Sequence, residues 1–493
     1  MTTGDLATRL DLTLAPDPGR VIIKLFVPGE DALTQTRAAT LVDRITLLSH
    51  DETAGMLRET LRRFGDRHHD LEATFLHHYD LVRYRVPRHL DLPPAGRLLV
   101  GAYFSHEYAV EAAALCNPSM VAHPDQSGLS PGQLRVVLSV RQIGEGHLSS
   151  IGFATALLGP GTALTVADRS GPLTVGRRQS THHRRDLFAA GLADAGQDSE
   201  VSATVLGSLP ALFDDDGFEQ AVARVPADLR TRTTTHGILE ELRRMTASDY
   251  AVAFPAGVPL EQRVLWPATA AESNGMEDAR FVRVLREDGM PSYRATYTAY
   301  DGRRISSCML ESDDLCYFEM TPLRGPAATN KGMALFPRPV GGRRLALCRS
   351  DGETLGLTAL DRHNRWGPPT PIHLPRSGWE LIQVGNCGSP LETESGWLVL
   401  THGVGPMRRY AIGALLLDLH EPQRVIAELP GTLLTPGDTE REGYVPNVVY
   451  SCGGLLHADA LWLPYGASDT RIGFAHVALT TLMAAMRPPR GDG

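Results

Sequence analysis

The sequence predicts a mainly β fold interrupted twice by helices. Three observations predict it. From about Val252 to Leu482 short apolar runs alternate with turn signals: Tyr300-Asp301-Gly302, Val340-Gly341-Gly342, Ser350-Asp351-Gly352, Ser395-Gly396 and Cys452-Gly453-Gly454. The same strand-and-turn texture runs from about Leu98 to Arg177. Between these β regions, and ahead of them, apolar residues switch to helical spacing. Regular short strands with turns suit a sandwich, a barrel or a propeller, and periodicity alone does not choose among the three.

In chain order, Val21 to Val27 alternates as a short strand. From about Asp31 to Val82, Leu41, Val42, Ile45 and Leu48, then Met56, Leu57, Leu61 and Phe64, then Leu71, Phe75, Tyr79 and Val82 mark two or three amphipathic helices. Asp66-Arg67-His68-His69-Asp70 lies among them and reads as a solvated helix face, because no third metal ligand is placed nearby. Leu134 to Arg141 is a strand, followed by Gly144-Glu145-Gly146-His147. Thr181 to Thr246 is helical again, notably Leu187 to Ala195, Phe218 to Val225 and Ile238 to Met245. Arg184, Arg185, Arg243 and Arg244 in this insertion read as a charged solvated face. The tail from Arg487 to Gly493 is rich in Pro and Gly and is expected to be disordered. The expected organisation is a strand plus helical extension over 1–107, a β domain over 108–482 with a helical insertion at about 178–250, and a tail over 483–493.

Composition bounds the function. Charged residues make up 21% and hydrophobic ones 42% of 493 residues, as in ordinary globular proteins. A formal net charge of −9 argues against nucleic acid as partner. No apolar stretch reaches the roughly 18 residues of a membrane span, so no membrane partner is expected. Met1 to Arg20 has no apolar core of a secretory signal, and the 6 cysteines are scattered without metal-type spacing. Reduced thiols and a cytoplasmic location are expected.

Two segments carry candidate chemistry. Gly385-Asn386-Cys387-Gly388-Ser389-Pro390-Leu391 leads into the apolar strands Trp397 to Leu400 and Ala411 to Leu417, joined by a polar stretch that carries His402 between small residues. A loop on rigid strands is a usual place to present such a side chain. Asn274-Gly275-Met276-Glu277-Asp278-Ala279-Arg280-Phe281 puts two carboxylates and an arginine just before a strand from Phe281 to Leu285. Strand alternation would send Glu277 and Asp278 to opposite faces, which argues against a dyad. Read without any relative, the segment fits a buried carboxylate paired with Arg280 to hold the sheet together.

These segments together resemble glycoside hydrolase family 130, the five-bladed propellers that phosphorolyse or hydrolyse β-mannosides. The family's Gly-x-Glu-Asp-Pro-Arg is matched by Gly275 to Arg280, with Ala279 in place of proline. Cys116-Asn117-Pro118-Ser119-Met120 looks like its Asn-Pro entry to the first blade. Asn330-Lys331-Gly332-Met333-Ala334-Leu335-Phe336-Pro337 with Arg349 resembles its Asn-Lys-Asp block, with Gly332 in place of aspartate. Gly443 to Gly453 and Tyr465-Gly466-Ala467-Ser468-Asp469 match two late motifs. The likeness covers about 108–480. It implies a mainly β, five-bladed β-propeller with a helical N-terminal extension and a helical insertion.

The resemblance also implies roles. Asp278 falls on the family's general acid. Asn117, Arg141, Ser149, Ser150, Glu277, Arg280 and Asp469 fall on its mannoside-binding positions. Lys331, Arg349, His402 and Tyr410 fall on the set that holds inorganic phosphate, which suits donors able to make charge-assisted bonds to an oxyanion. Gln383 stands where many relatives have lysine. The implied reaction is an inverting phosphorolysis giving α-mannose 1-phosphate, with the acid relaying its proton through the mannose 3-hydroxyl. No cofactor and no metal are expected. Inorganic phosphate is the co-substrate, a β-mannoside disaccharide or oligosaccharide the substrate, and a homo-oligomer the expected assembly. A hydrolase would need a second carboxylate to activate water, for which Glu392, Glu394, Glu440 and Glu442 are available. A non-catalytic glycan-binding propeller is the alternative from another class.

Overall fold

The computed structural model describes residues 5–28, 35–87, 89–286 and 288–489. Five four-stranded antiparallel arrays dominate the fold, the first four laid down in sequence order, and a parallel bridge between Gly275 and Ser149 links the first two. Sheet I comprises Ala114–Ala122, Leu134–Ile143, Ser149–Leu158 and Leu164–Val166. Sheet II comprises Gly275–Leu285, Pro291–Tyr300, Ile305–Ser312 and Tyr317–Pro322, widened by Tyr250–Ala253 and Arg177–Gln179. Sheet III comprises Ala334–Leu335, Leu345–Cys348, Leu355–Ala359 and Thr370–His373. Sheet IV comprises Gln383–Asn386, Gly396–Val404, Tyr410–Leu417 and Val425–Glu428. Sheet V comprises Val449–Tyr450, Ala460–Ala467 and Arg471–Ala478, and its outer strand is Thr8–Leu14, from the other end of the sequence.

Strand alternation explains how the sheets stack, because successive residues face different neighbours. Val121 and Phe281 share a core between sheets I and II, whereas the adjacent Val282 packs with Leu335 and Ala346 of sheet III. Trp397 joins Leu345 and Leu347 of sheet III, and the adjacent Leu398 joins Leu461 of sheet V. Trp462 of sheet V then packs with Met120 and Leu138 of sheet I. Each sheet is therefore apolar on both faces, and the fifth packs on the first. At one end, Val121, Val282, Pro337, Pro390 and Leu455, one residue in or beside each sheet, line a single cavity of about 310 Å³.

The two or three helices expected from about Asp31 to Val82 are three, α1 (Gln35–Thr46), α2 (His50–Phe64) and α3 (Leu71–Val82), and a further one, α4 (Pro94–Tyr103), follows them before sheet I. Ser49 caps α2 in a reciprocal box with Glu52, and Asp70 caps α3. The His-Asp run is structural: His68 and Arg67 both pair with Glu107. The 1–107 extension is not wholly outside the β region, since Thr8–Leu14 closes sheet V; Arg9 on it pairs with Glu440 at 2.8 Å. The insertion holds α5 (Arg185–Asp194), α6 (Glu200–Ser208), α7 (Asp215–Ala223), α8 (Ala227–Arg230) and α9 (Thr235–Ala247) around its own core of Phe188, Val205, Phe218 and Leu242. The four arginines read as a charged solvated face are all hydrogen-bonded: Arg184 to Asp186, Arg185 to the Leu209 carbonyl, Arg243 to Glu219 and Arg244 to Glu241. After sheet V comes α10 (Leu479–Ala485), and Arg487 pairs backbone to backbone with Glu428. The expected disorder at 490–493 lies outside the described residues. No described helix is long and apolar enough to cross a membrane.

Candidate active site

The antiparallel order sets one end of every sheet apart. There the first strand begins and the second turns into the third, at 144–148, 301–304, 349–354, 405–409 and 468–470. The candidate residues gather at this end, opposite the apolar cavity.

Sheets I and II build a paired cluster. Both first strands carry a bulge, between Cys116 and Ser119 and between Glu277 and Arg280. Asn117 (φ 49°) and Asp278 (φ 55°) sit in these bulges in the left-handed region. Asn and Asp tolerate that region better than most residues, and bulges commonly re-aim side chains beside active sites. The Asn117 amide donates to the Asp278 carboxylate. The bulge also overturns the expected separation of Glu277 and Asp278. Arg141 meets both, its Nη2 at 2.6 Å from Glu277 and its Nη1 at 4.0 Å from Asp278. Lys331 Nζ stands 3.7 Å from the other Glu277 oxygen.

Arg280 crosses the middle of the molecule. It donates to the Asp278 carbonyl at 2.8 Å, to the Cys387 carbonyl of the sheet IV segment at 3.0 Å and to the Tyr450 hydroxyl of sheet V at 2.7 Å. The reading of Arg280 as a buried tie is met by this geometry, and its guanidinium is also 3.7 Å from the Asp278 carboxylate. Burial alone would raise the Asp278 pKa, but Arg280, Lys331 and Arg141 outweigh it and hold the group well below the ordinary aspartate range. Asp469, also left-handed at φ 46°, shows the reverse. Burial pushes it up to about 6, against the opposing pull of Arg141.

Sheets III and IV build an unpaired corner. Arg349 is buried, and its Nε and Nη1 have no hydrogen-bond partner. His402 is buried too, with Nδ1 3.2 Å from the Asn386 carbonyl and Nε2 unpartnered. The two meet across Gly385: a Cβ there would lie 2.8 Å from His402 Cε1 and 3.0 Å from Arg349 Cδ. Glycine at 385 is thus what lets both side chains in. Burial, reinforced by Arg349 and Arg280, drives the His402 pKa far below its ordinary value, so the ring is neutral. A carbonyl only accepts, so the proton sits on Nδ1 and Nε2 offers a lone pair. Tyr410 stacks on His402 at 6.3 Å and Tyr450 meets it edge-on at 4.9 Å. His402 lies within the strand Gly396–Val404, not in the connecting loop.

The expected set is therefore split. Arg349, His402 and Tyr410 come together, whereas Lys331 leans toward Glu277. Ser149 is buried with an unpartnered hydroxyl on the Arg141 face. Ser150 is on the other face, donating to Gln142 at 3.1 Å, and is not brought to the site. Among residues without an expected role, Tyr450 and Asn386 are both central. Asn386 donates to the Gly332 carbonyl at 2.9 Å and keeps its own side-chain oxygen unpartnered.

Residues 256–488 match the family model for glycoside hydrolase family 130, described as beta-1,4-mannooligosaccharide phosphorylase. A 1,2-beta-oligomannan phosphorylase of Thermoanaerobacter sp. (strain X514) is 35% identical over 225 residues, spanning 44% of this chain and 72% of that protein. A beta-1,2-mannobiose phosphorylase of the same organism is 33% identical over 246 residues, spanning 48% and 78%. The solved complex of beta-1,2-mannobiose phosphorylase from Listeria innocua with beta-1,2-mannobiose superposes with a TM-score of 0.45 at 18% identity, covering 76% of this chain and 92% of that one. On these sequence matches, the chain belongs to glycoside hydrolase family 130.

Proposed function

We propose that this chain is an inverting β-mannoside phosphorylase whose five sheets are the blades of a five-bladed β-propeller. The propeller reading is supported by the succession of shared cores from sheet I round to sheet V and back. The strand Thr8–Leu14, pairing with sheet V, closes the ring. Residues 108–482 are its body, with the helical insertion carried outside sheet II.

One observation carries the phosphorylase reading: the buried Arg349 donors and His402 Nε2, unpartnered and adjacent. Buried polar groups are rarely left without partners, and two donors beside an acceptor match monohydrogen phosphate. Its oxygens accept from Arg349, while its P–OH donates to Nε2. The names of the curated relatives point the same way. The hydrolase reading is weaker, because its candidate carboxylates are engaged by other groups or exposed. Glu392 pairs with Arg338, and Glu440 is held by Arg9, by the Tyr465 hydroxyl at 2.5 Å and by the Gly437 amide. Glu394 and Glu442 are exposed.

In the mechanism, Asn117, Arg141, Ser149 and Asp469 bind the reacting mannose, with Glu277 orienting Arg141 and Lys331. A phosphate oxygen bonds to C1 as the C1–oxygen bond to the leaving sugar breaks. Asp278 supplies the proton that the departing oxygen takes up, relayed by a sugar hydroxyl. The proton of monohydrogen phosphate restores it over the turnover. Asp278 is ionised in the empty site, so it must gain a proton when substrates bind. A phosphate dianion entering among Arg349, Arg280 and Lys331 offsets their charge and moves the Asp278 pKa in that direction.

The test is to incubate the protein with β-1,2- and β-1,4-mannobiose and mannosyl-glucose, with and without phosphate. Phosphate-dependent α-mannose 1-phosphate is expected. Free mannose released at the same rate without phosphate would replace this reading with hydrolysis.

A further inference from the structure

The proposed phosphorolysis also fixes the direction in which the leaving sugar departs. An acceptor site inferred from that direction rests on the phosphorolysis reading. In a single inverting displacement the entering and departing oxygens lie on opposite sides of C1. The phosphate-facing groups come from sheets III and IV: Arg349 directly follows Leu345–Cys348, and His402 lies on Gly396–Val404. In a ring of five, the sheet opposite the III–IV seam is sheet I. Departure inward is blocked, because Arg280 spans the centre to the Cys387 carbonyl and the Tyr450 hydroxyl. The leaving sugar must therefore pass the open end of sheet I, the turn 144–148.

An exposed aromatic ring stands at that exit. His147 on the turn (φ 64°) is 2.7 Å from the Tyr444 hydroxyl, with the rings 5.6 Å apart. Tyr444 belongs to the segment linking sheets IV and V, yet it is anchored beside Asp469. Its backbone amide donates to Thr470 Oγ1 at 2.7 Å, and the next amide, Val445, donates to the Ser468 carbonyl at 2.9 Å. Tyr444 is 42% exposed, while its polar tip is occupied by His147. From behind, the Tyr108 hydroxyl, on the strand Ser105–Ala109 that pairs with Val21–Leu25, donates to the Glu145 carbonyl at 2.7 Å.

We propose that Tyr444, oriented by His147, is the stacking surface for the leaving sugar and, in the reverse direction, for the acceptor. An aromatic face with a fixed hydroxyl suits the apolar C–H face of a pyranose. Tyr444 then determines how well the enzyme holds the acceptor, while mannose 1-phosphate is bound elsewhere.

The experiment is synthesis by the full chain from mannose 1-phosphate with mannose, glucose or β-mannobiose as acceptor, each KM measured separately. Tyr444→Ala is expected to raise the acceptor KM about tenfold and leave the KM for mannose 1-phosphate within about twofold. Tyr444→Phe, which keeps the ring, is expected to stay within about threefold of wild type. An unchanged acceptor KM in Tyr444→Ala overturns the proposal. So do equal rises in both KM values, or a Phe variant as impaired as the Ala variant, which would make the pair a latch between sheets. A wild-type protein that uses no acceptor with mannose 1-phosphate removes the phosphorolysis reading itself, and this proposal with it.

Discussion

The two halves of the candidate site differ in how their charges are met. On sheets I and II, Asp278 and Glu277 are surrounded by Arg141, Lys331, Arg280 and Asn117, each within reach of a carboxylate. On sheets III and IV, Arg349 and His402 are also buried and both approach Gly385, but they keep unpartnered nitrogens. The charges of the first half are paired in the empty protein, while Asn117 Oδ1, Arg141 Nε and the Ser149 hydroxyl are left open. The second is incomplete, and an anion would complete it. Burying an unmet guanidinium is costly, so the contrast itself argues for a ligand that brings negative charge to one half only.

The largest effect tests the paired half. Asp278→Asn is expected to lower turnover on the order of a thousandfold, the range for losing a general acid, while mannoside binding measured by calorimetry persists. Variants in the incomplete half should behave differently. Arg349→Gln and His402→Ala are each expected to raise the KM for phosphate about 10–100-fold, as for a lost charged hydrogen bond, with the mannoside KM little changed. If both KM values rise together, the two halves are not separable in the way described.

A subtler break comes from Gly385→Ala. Its Cβ would sit 2.8 Å from His402 Cε1, displacing the ring without removing any donor. The KM for phosphate should rise severalfold, less than in either side-chain variant, because the groups can shift by tenths of an ångström.

The last effect is on stability, not on turnover or KM, and its sign follows from Asp469. The folded pKa is raised from 3.8 to about 6. Its contribution to stability is full below about pH 4 and is lost as pH rises through 6, amounting to roughly 3 kcal/mol. Asp469→Asn removes that loss. Its melting temperature relative to wild type should therefore be higher at pH 8 than at pH 4.5. Asp278 has a depressed pKa, so its ionised form stabilises the fold above the unfolded value. Asp278→Asn should accordingly melt lower than wild type at pH 8. Melts of both variants at the two pH values check the signs.

Much of the fold was legible because packing writes a period into the strands. Trp397 and Leu398, or Leu461 and Trp462, are all apolar because each sheet is covered on both faces, and such runs bounded by turn residues read as buried strands. The helices of the insertion announced themselves by Phe218, Val222 and Leu242. Thr8–Leu14 was missed although Leu10, Leu12 and Leu14 alternate, since nothing local says that a strand will pair with one more than 450 residues away. At the site, residue types were legible but directions were not. The bulge at Asp278 reverses the alternation that would have separated it from Glu277. Ordinary alternation turns Ser150 away from Arg141's side, and that could have been read from the spacing. The neutral state of His402 depends on burial and on Arg349, neither of which a sequence displays.

The most direct measurement is a calorimetric titration of inorganic phosphate into the wild-type protein and into Arg349→Gln. One saturable phosphate site, lost or strongly weakened in the variant, is the predicted result. No phosphate binding by a wild-type protein that nevertheless cleaves mannobiose would contradict the assignment of the unpaired corner.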